Sequence, residues 1–274
     1  MRDAGAMSDP SQPGAPEVPA DIERVVDALL ETLGSLVDIT SGLNDDQAAL
    51  ATPCPGWTVR DQVAHVAGLE SRMLGRPGYD DHLVPDGLAH VRNAVGRVME
   101  IDVDARRPLP LADVLAELAE VTVARRAQLQ GVGLTPDTLV NSPFGDRPAR
   151  SALPLRVFDC WAHEQDVRDA LGAPGGMSGA AAQVSMARAC AGLATVAASA
   201  GLTPDQRVDL VVTGAHAFRT SVGTGDLPIV TLTIEAANFT RLCCGRSSAD
   251  PSKVTIDGDQ AVGAAFVANL AITP

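Results

Sequence analysis

Between Asp21 and Ser41 the apolar residues Ile22, Val25, Val26, Leu29, Leu30, Leu33 and Leu36 recur at helical spacing. They form one stripe on an α-helix, and Asp21 is a residue type that caps such a helix at its start. The pattern returns through the first two hundred residues, and a chain with several such stripes must bury them helix against helix. The composition agrees: 46% of residues are hydrophobic but only 3% are aromatic, so the core is built mainly of Ala, Val and Leu.

After the loop LATPCPGW, Thr58 and Asp61 have the spacing of a capping box, with Asp replacing the usual Glu. They open a second helix that runs to about Gly75. A third is expected near 86–100, a fourth from Leu111 to Gln130, a fifth from Leu155 to Leu171 before Gly172 and Pro174, and a sixth from Ser178 to Ala200. The Gly- and Pro-rich stretch 131–154 reads as a long irregular connection. Beyond it the period changes. VDLVV and IVTLTIE have strand character, the latter alternating Val230, Leu232 and Ile234 with Thr231, Thr233 and Glu235. A short helix follows over Asn238–Cys244, then a strand in KVTIDGD and a last helix carrying Val262, Phe266 and Leu270. The expectation is a mainly α protein: a disordered tail over 1–20, an up-down helical bundle over 21–202 and a small α+β domain over 203–274.

The formal charge of -13 opposes binding to a phosphate backbone, so nucleic acid is not an expected partner. Residues 1–20 lack the apolar run of a secretory signal. The most apolar stretch, 180–202, is interrupted by Gln183 and Arg188, which argues against a membrane span. A cytoplasmic protein is expected. The cysteines Cys54, Cys160, Cys190, Cys243 and Cys244 are odd in number and lack CxxC spacing, so they read as free thiols.

In FDCWAHEQD, Asp159 and His163 are four residues apart, about 6 Å on one helix face. Their helical neighbours Leu155, Ala162 and Val167 are apolar, which turns the pair toward the bundle interior, where a charge needs a partner. A divalent metal is one such partner. His65, at the margin of the second helix's stripe, offers a third ligand, and two His with one carboxylate is a donor set of catalytic zinc sites with an open fourth position. By itself this spacing is a weak signal, since Asp and His four apart often form an ordinary surface pair, and His65 alone adds no more.

TPCPGWTVRDQVAHVAGLE together with RVFDCWAHEQDVRDALG resembles the mycothiol-dependent maleylpyruvate isomerase family, a branch of the DinB-like metal-binding four-helix bundles. LTIEAANFTRLCCGR and VTIDGDQAVGAAFVANLAITP resemble the sterol-carrier-like domain that follows the bundle there. The match spans roughly residues 20–274. The resemblance implies a metal, zinc by donor type, held by His65, Asp159 and His163, and mycothiol as cosubstrate. Some relatives carry Glu where this chain has the shorter Asp159. Arg246, in LCCGR, falls where the family's second domain has a Gly-Arg pair and is suited to clamp a substrate carboxylate; an arginine closing the preceding helix is the plain alternative. Asp166 fits a supporting or substrate-orienting role, or a surface charge. Trp57 reads as packing under its loop or as a wall of the thiol pocket. His82, His90 and His216 have no partner at ligand spacing and receive no role.

The implied chemistry is a thiol held as thiolate at the open metal position, attacking a small electrophile. A cis-unsaturated diacid would be isomerised by addition, rotation and elimination, whereas a substrate with a leaving group would undergo S-transfer. The rival is a non-catalytic protein that binds metal and ligand on the same fold.

Overall fold

A computed structural model describes residues 13–131 and 133–273 of the chain. Its helical part comprises α1 (Ile22–Thr40), α2 (Asp45–Ala48), α3 (Val59–Met73), α4 (Ala94–Arg106), α5 (Leu111–Gly131), α6 (Ala149–Leu171), α7 (Ala180–Ala191) and α8 (Leu193–Ser199). The long helices close a ring: α1 packs on α5 and α6, and α3 packs on the same two from the other side. α4 covers α3, and α7 lies on α1 and α6. The α1 stripe read from the sequence is the centre of this core, with Leu29, Leu33 and Leu36 fully buried. Asp21 caps α1 by accepting from Glu23 N at 3.0 Å. Among the described residues no helix is long and apolar enough to cross a membrane.

The second part is a sheet in the order β4-β3-β5-β6, formed by β3 (Arg207–Thr213), β4 (Phe218–Val222), β5 (Pro228–Glu235) and β6 (Thr255–Gly258). β3 and β5 are parallel, and the other pairs are antiparallel. Helices α9 (Ala236–Cys243) and α10 (Gln260–Ala268) complete it. Val230, Leu232 and Ile234 face the core, as their alternation predicts.

Several boundaries differ from the sequence expectation. The third long helix, α4, lies at 94–106 and not 86–100, because Asn93 caps it by accepting from Gly96 N at 2.9 Å. α6 begins at Ala149, six residues early, and carries Pro154 inside it. Its first amides, on Ala149 and Arg150, donate to Thr138 and Pro136 carbonyls at 2.8 and 3.0 Å. The connection before it therefore supplies the cap, and contains a small hairpin of β1 (Leu139–Val140) and β2 (Arg147–Pro148). The expected sixth helix is two, α7 and α8, divided at Gly192. The strand β4 has no counterpart in the sequence reading. The second core also starts before residue 203, since Met186, Ala189, Leu193 and Val196 pack with the strands. Of the expected tail, residues 1–12 lie outside the described residues. Residues 13–20 are placed against the protein: Pro13 O accepts from Arg219 N at 2.9 Å, Ala15 packs on the sheet core and Val18 on the bundle.

Candidate metal centre

The loop before α3 and the start of α3 fix where His65 stands. Thr58 is the N-cap, its Oγ1 accepting from Asp61 N at 3.3 Å while Asp61 Oδ2 accepts from Thr58 N at 2.9 Å, which is the capping box read from the sequence. Gly56 turns the chain at φ +79°, and a Cβ there would lie 2.2 Å from His90 Nδ1. Only glycine fits this crossing. Two turns into α3, His65 is 2% exposed.

α6 presents Asp159 and His163 to the same point. One ligand atom from each of His65, Asp159 and His163 lies within 4.8 Å of the other two. His65 Nε2 is 3.3 Å from Asp159 Oδ2, and His163 Nε2 is 3.7 Å from Asp159 Oδ1. Donors around a tetrahedral zinc with bonds of about 2.0–2.1 Å stand roughly 3.3 Å apart, so this set fits a divalent cation with small adjustment. His65 Nδ1, the other ring nitrogen, is buried without a partner among the described residues.

Each member is held from behind. His163 Nδ1 donates to Gln62 Oε1 at 2.5 Å, which directs Nε2 to the Asp159 side. Gln62 in turn donates to Thr52 Oγ1 at 2.7 Å. Arg156 donates to Asp159 Oδ2 at 2.7 Å and to Glu70 Oε1 at 2.7 Å, and Arg125 closes the chain on Glu70 Oε2 at 2.6 Å. Trp57 packs on both imidazoles, with ring centroids 4.9 Å from His65 and 5.5 Å from His163, and its Nε1 donates to Glu100 at 2.8 Å.

Burial alone would raise the carboxyl of Asp159, but Arg156 and then His65 outweigh it and hold the group well below the usual range. Burial lowers His65 and keeps it neutral, the form in which an imidazole ligates. For His163 burial acts in the same sense, but hydrogen bonds to Asp159 and Asp166 prevail and raise it.

Arg246 follows Gly245, which ends the α9 segment with φ +61°. Its Nε and Nη2 meet Asp166 Oδ1 and Oδ2 at 2.9 and 2.7 Å, and Nη1 donates to Cys244 O at 2.8 Å. Two of the five guanidinium N–H groups are thereby hydrogen-bonded, with Nη2 in ion-pair contact. Asp166 is 2% exposed, so it is no surface charge; it touches both Arg246 and, at 3.5 Å, His163 Nδ1. Trp57, His65, Asp159, His163 and Arg246 all line one cleft.

Sequence reading gave no role to Gln62, Glu70 and Arg156. Gln62 precedes His65 by three positions and Arg156 precedes Asp159 by three, a spacing that shares a helix face and could have flagged them. His90 also lines the cleft, with Nε2 at 3.0 Å from Glu100 Oε2; the intervening loop left no local signal for this pairing. His82 pairs instead with Asp104 at 2.8 Å, away from the cleft. Cys54 joins His163 and Asp166 in a second group within 4.8 Å. Burial pushes its thiol up to about 11 and Arg246 already neutralises Asp166, so this group is a poorer cation site. Cys160 is buried against Arg156 and Glu70, its thiol likewise raised by burial.

A helical bundle with a candidate cation site between two of its helices, followed by an α+β domain that lends one arginine to the same cleft, defines the class of protein. A family model of the mycothiol maleylpyruvate isomerase N-terminal domain matches residues 29–168, just over half of the chain, and the chain belongs to that family. Two similar solved structures are the crystal structure of the mycothiol-dependent maleylpyruvate isomerase, at 16% identity, and that of a histidine-to-alanine mutant of the same enzyme, at 15%. Each has a TM-score of 0.59, and the match covers 86% of this chain and 93% of that one, which establishes a shared fold over most of the chain. No curated protein matches.

Proposed function

We propose that the protein is a metal- and mycothiol-dependent enzyme in which the cosubstrate's sulfur, as thiolate, attacks an electrophilic carbon of a small molecule, in maleylpyruvate-type isomerisation or in S-transfer. The observation that carries this reading is the convergence of His65, Asp159 and His163 within 4.8 Å in a cleft that Arg246 also lines. These three residues would hold the cation, and zinc is the metal whose catalytic sites commonly use such donors. A divalent cation there would supply the Lewis acidity that keeps a thiol ionised at neutral pH, where a free thiol is only a few per cent thiolate.

The chain's own residues do the rest. Gln62 sets the tautomer of His163 by accepting from Nδ1. Arg156 neutralises Asp159 and orients it through Oδ2. Trp57 covers the imidazole faces and keeps water from them. Arg246, held by Asp166, would offer its remaining N–H groups to a substrate carboxylate. The family and the solved relatives favour mycothiol and an unsaturated diacid over other thiols and electrophiles.

The test is product analysis after incubating metal-loaded protein with mycothiol and either maleylpyruvate or electrophiles bearing a leaving group. Isomer or thioether formation that disappears on chelation is the expected result. Binding of mycothiol without turnover of any electrophile would favour the non-catalytic binding protein instead.

A further inference from the structure

A thiol that turns nucleophile sheds a proton, and the residues assigned so far have no place for it. His65, Asp159 and His163 serve as ligands in the reading above, Arg246 does not give up its charge, and Asp166 is bound to Arg246 at 2.9 and 2.7 Å. Cys54 and Cys244 also line the cleft, but burial pushes their thiols up to about 11 and about 12. That leaves His90. It stands on the loop between α3 and α4 and lines the same cleft, its side chain 16% exposed.

The partners of His90 define which ring nitrogen is available. Nε2 lies 3.0 Å from Glu100 Oε2, an oxygen that also accepts from Trp57 Nε1 at 2.8 Å, while Oε1 of the same carboxylate pairs with Arg107 Nη1 at 2.7 Å. A carboxylate only accepts, so Nε2 carries the hydrogen and Nδ1 holds the basic lone pair. Nδ1 has no hydrogen-bond partner among the described residues. Gly56 keeps it open, because a Cβ at that position would lie 2.2 Å from Nδ1 and cover it. A histidine held by a buried carboxylate through one nitrogen, with the other free at a cleft, has the arrangement of a proton carrier. Trp57 sets its place: the indole packs on both ligand imidazoles and shares Glu100 Oε2 with His90. His90 thus stands one indole away from the candidate cation site, beside the far end of a small electrophile and not its reacting carbon.

We infer that His90 is the proton carrier of the reaction and that the electrophile is an α,β-unsaturated carbonyl compound, whose carbonyl oxygen receives the proton. The inference rests on the thiol-dependent reading proposed above. The thiol's proton passes to Nδ1, the S–C bond forms at the β carbon, the C=C pair moves toward the carbonyl oxygen, and Nδ1 hands its proton to that oxygen to give an enol. Glu100 stabilises the imidazolium in between. After rotation about the new single bond the enol proton returns to Nδ1, the double bond re-forms, the S–C bond breaks and the thiol recovers its proton. A departing halide would have no use for such a donor.

The experiment compares wild type, His90→Gln and His90→Ala as metal-loaded, full-length proteins, with mycothiol and maleylpyruvate and, separately, with mycothiol and the alkyl bromide monobromobimane. Gln places its amide nitrogen near the position of Nε2, so it keeps the Glu100 contact and loses the basic nitrogen. With maleylpyruvate kcat should fall about 10²–10⁴-fold in both variants, while metal content and mycothiol affinity stay near those of wild type. Added imidazole should restore part of kcat in His90→Ala and none in His90→Gln, whose side chain fills the space. Should His90→Ala fail to fold, as judged by its melting curve, the Gln variant carries the test. Wild-type activity in His90→Gln would mean that His90 only holds Glu100, and overturns the inference. So does a wild type that converts monobromobimane and leaves maleylpyruvate unchanged, although the thiol-dependent reading would then stand. If wild type turns over neither, that reading falls and takes the inference with it.

Discussion

Both parts of the molecule bury an apolar core, but they differ in the charged side chains they bury beside it. Inside the bundle, Glu70, Glu100, Asp102, Arg106, Arg125 and Arg156 are all at most 4% exposed. Under the sheet, the core is Val208, Leu210, Leu232, Ile234, Phe239 and Phe266 with their apolar neighbours, and among the described residues of this part Asp209 is the one buried charge. Well-partnered buried charges are no more stabilising than apolar residues of the same volume, whereas removing one partner is severe. Their presence in the bundle therefore reflects position more than stability. The chain from Arg125 through Glu70 and Arg156 ends on Asp159, and Glu100 ends on Trp57, which packs on both imidazoles. One domain is organised around the site; the other is a stable platform that contributes Arg246.

The sharpest way to break this contrast is His163→Ala. Loss of a ligand should abolish stoichiometric metal binding and lower kcat/KM by more than the roughly 10–100-fold that loss of a supporting hydrogen bond costs a metal site. Metal analysis of the folded variant checks it. Retention of one metal per chain would remove the assignment.

Next in size is a pair of core substitutions chosen to separate the domains. Glu70→Ala leaves two buried arginines short of a partner and should cost about 3–5 kcal/mol, together with metal affinity, because Arg156 loses its orientation. Leu232→Ala in β5 should cost a similar 2–5 kcal/mol through its cavity and leave metal affinity alone. Denaturant melts and metal titrations on both variants would show whether the coupling is confined to the bundle. The same carboxylate predicts an acid dependence. Burial would raise Glu70, but Arg156 and Arg125 prevail and hold it below 4.5. Its contribution is thus complete above the unfolded value and is lost as pH falls through the folded one. Stability measured from pH 6 downward should fall less steeply below 4.5 in Glu70→Gln than in wild type.

How much of this was legible in the sequence divides along the same line. Helix periodicity is local, so α1, α3 and α5 could be read from their stripes, and the spacing of Asp159 and His163 needed only one helix. That His65 stands beside them depends on α3 packing against α6, which the resemblance implied and local pattern could not. The start of α6 hangs on carbonyls of Pro136 and Thr138. The docking of residues 13–20 hangs on β4, a strand too weakly patterned to read. Glu100 meets Trp57, His90 and Arg107 across three segments, and nothing in any one segment announces it. Local order was visible; partners distant along the chain were not.

A smaller effect is expected at Gln62. Gln62→Ala removes the acceptor of His163 Nδ1 without touching a ligand, and metal affinity should fall within the roughly 10–100-fold range of such supporting contacts. Competition with a chelator measures it. An unchanged affinity would mean that packing by Trp57 alone orients the ring.

The smallest is Thr58→Ala, at the start of the helix that carries His65. The cap hydrogen bond from Asp61 N is lost, at about 1 kcal/mol. Asp61 keeps its ion pair with Arg107 at 3.0 Å, and the α3 residues facing the core, Val59, Val63 and Val66, stay buried. Fraying should therefore stop within the first turn, residues 59–62, three residues short of His65. Hydrogen exchange should quicken at the amides of the first turn and nowhere deeper, with metal affinity within a few-fold of wild type. If affinity fell as far as in Gln62→Ala, the position of His65 would depend on the helix terminus and not on the buried interior, and the division of labour between the charged bundle core and its periphery would have to be redrawn.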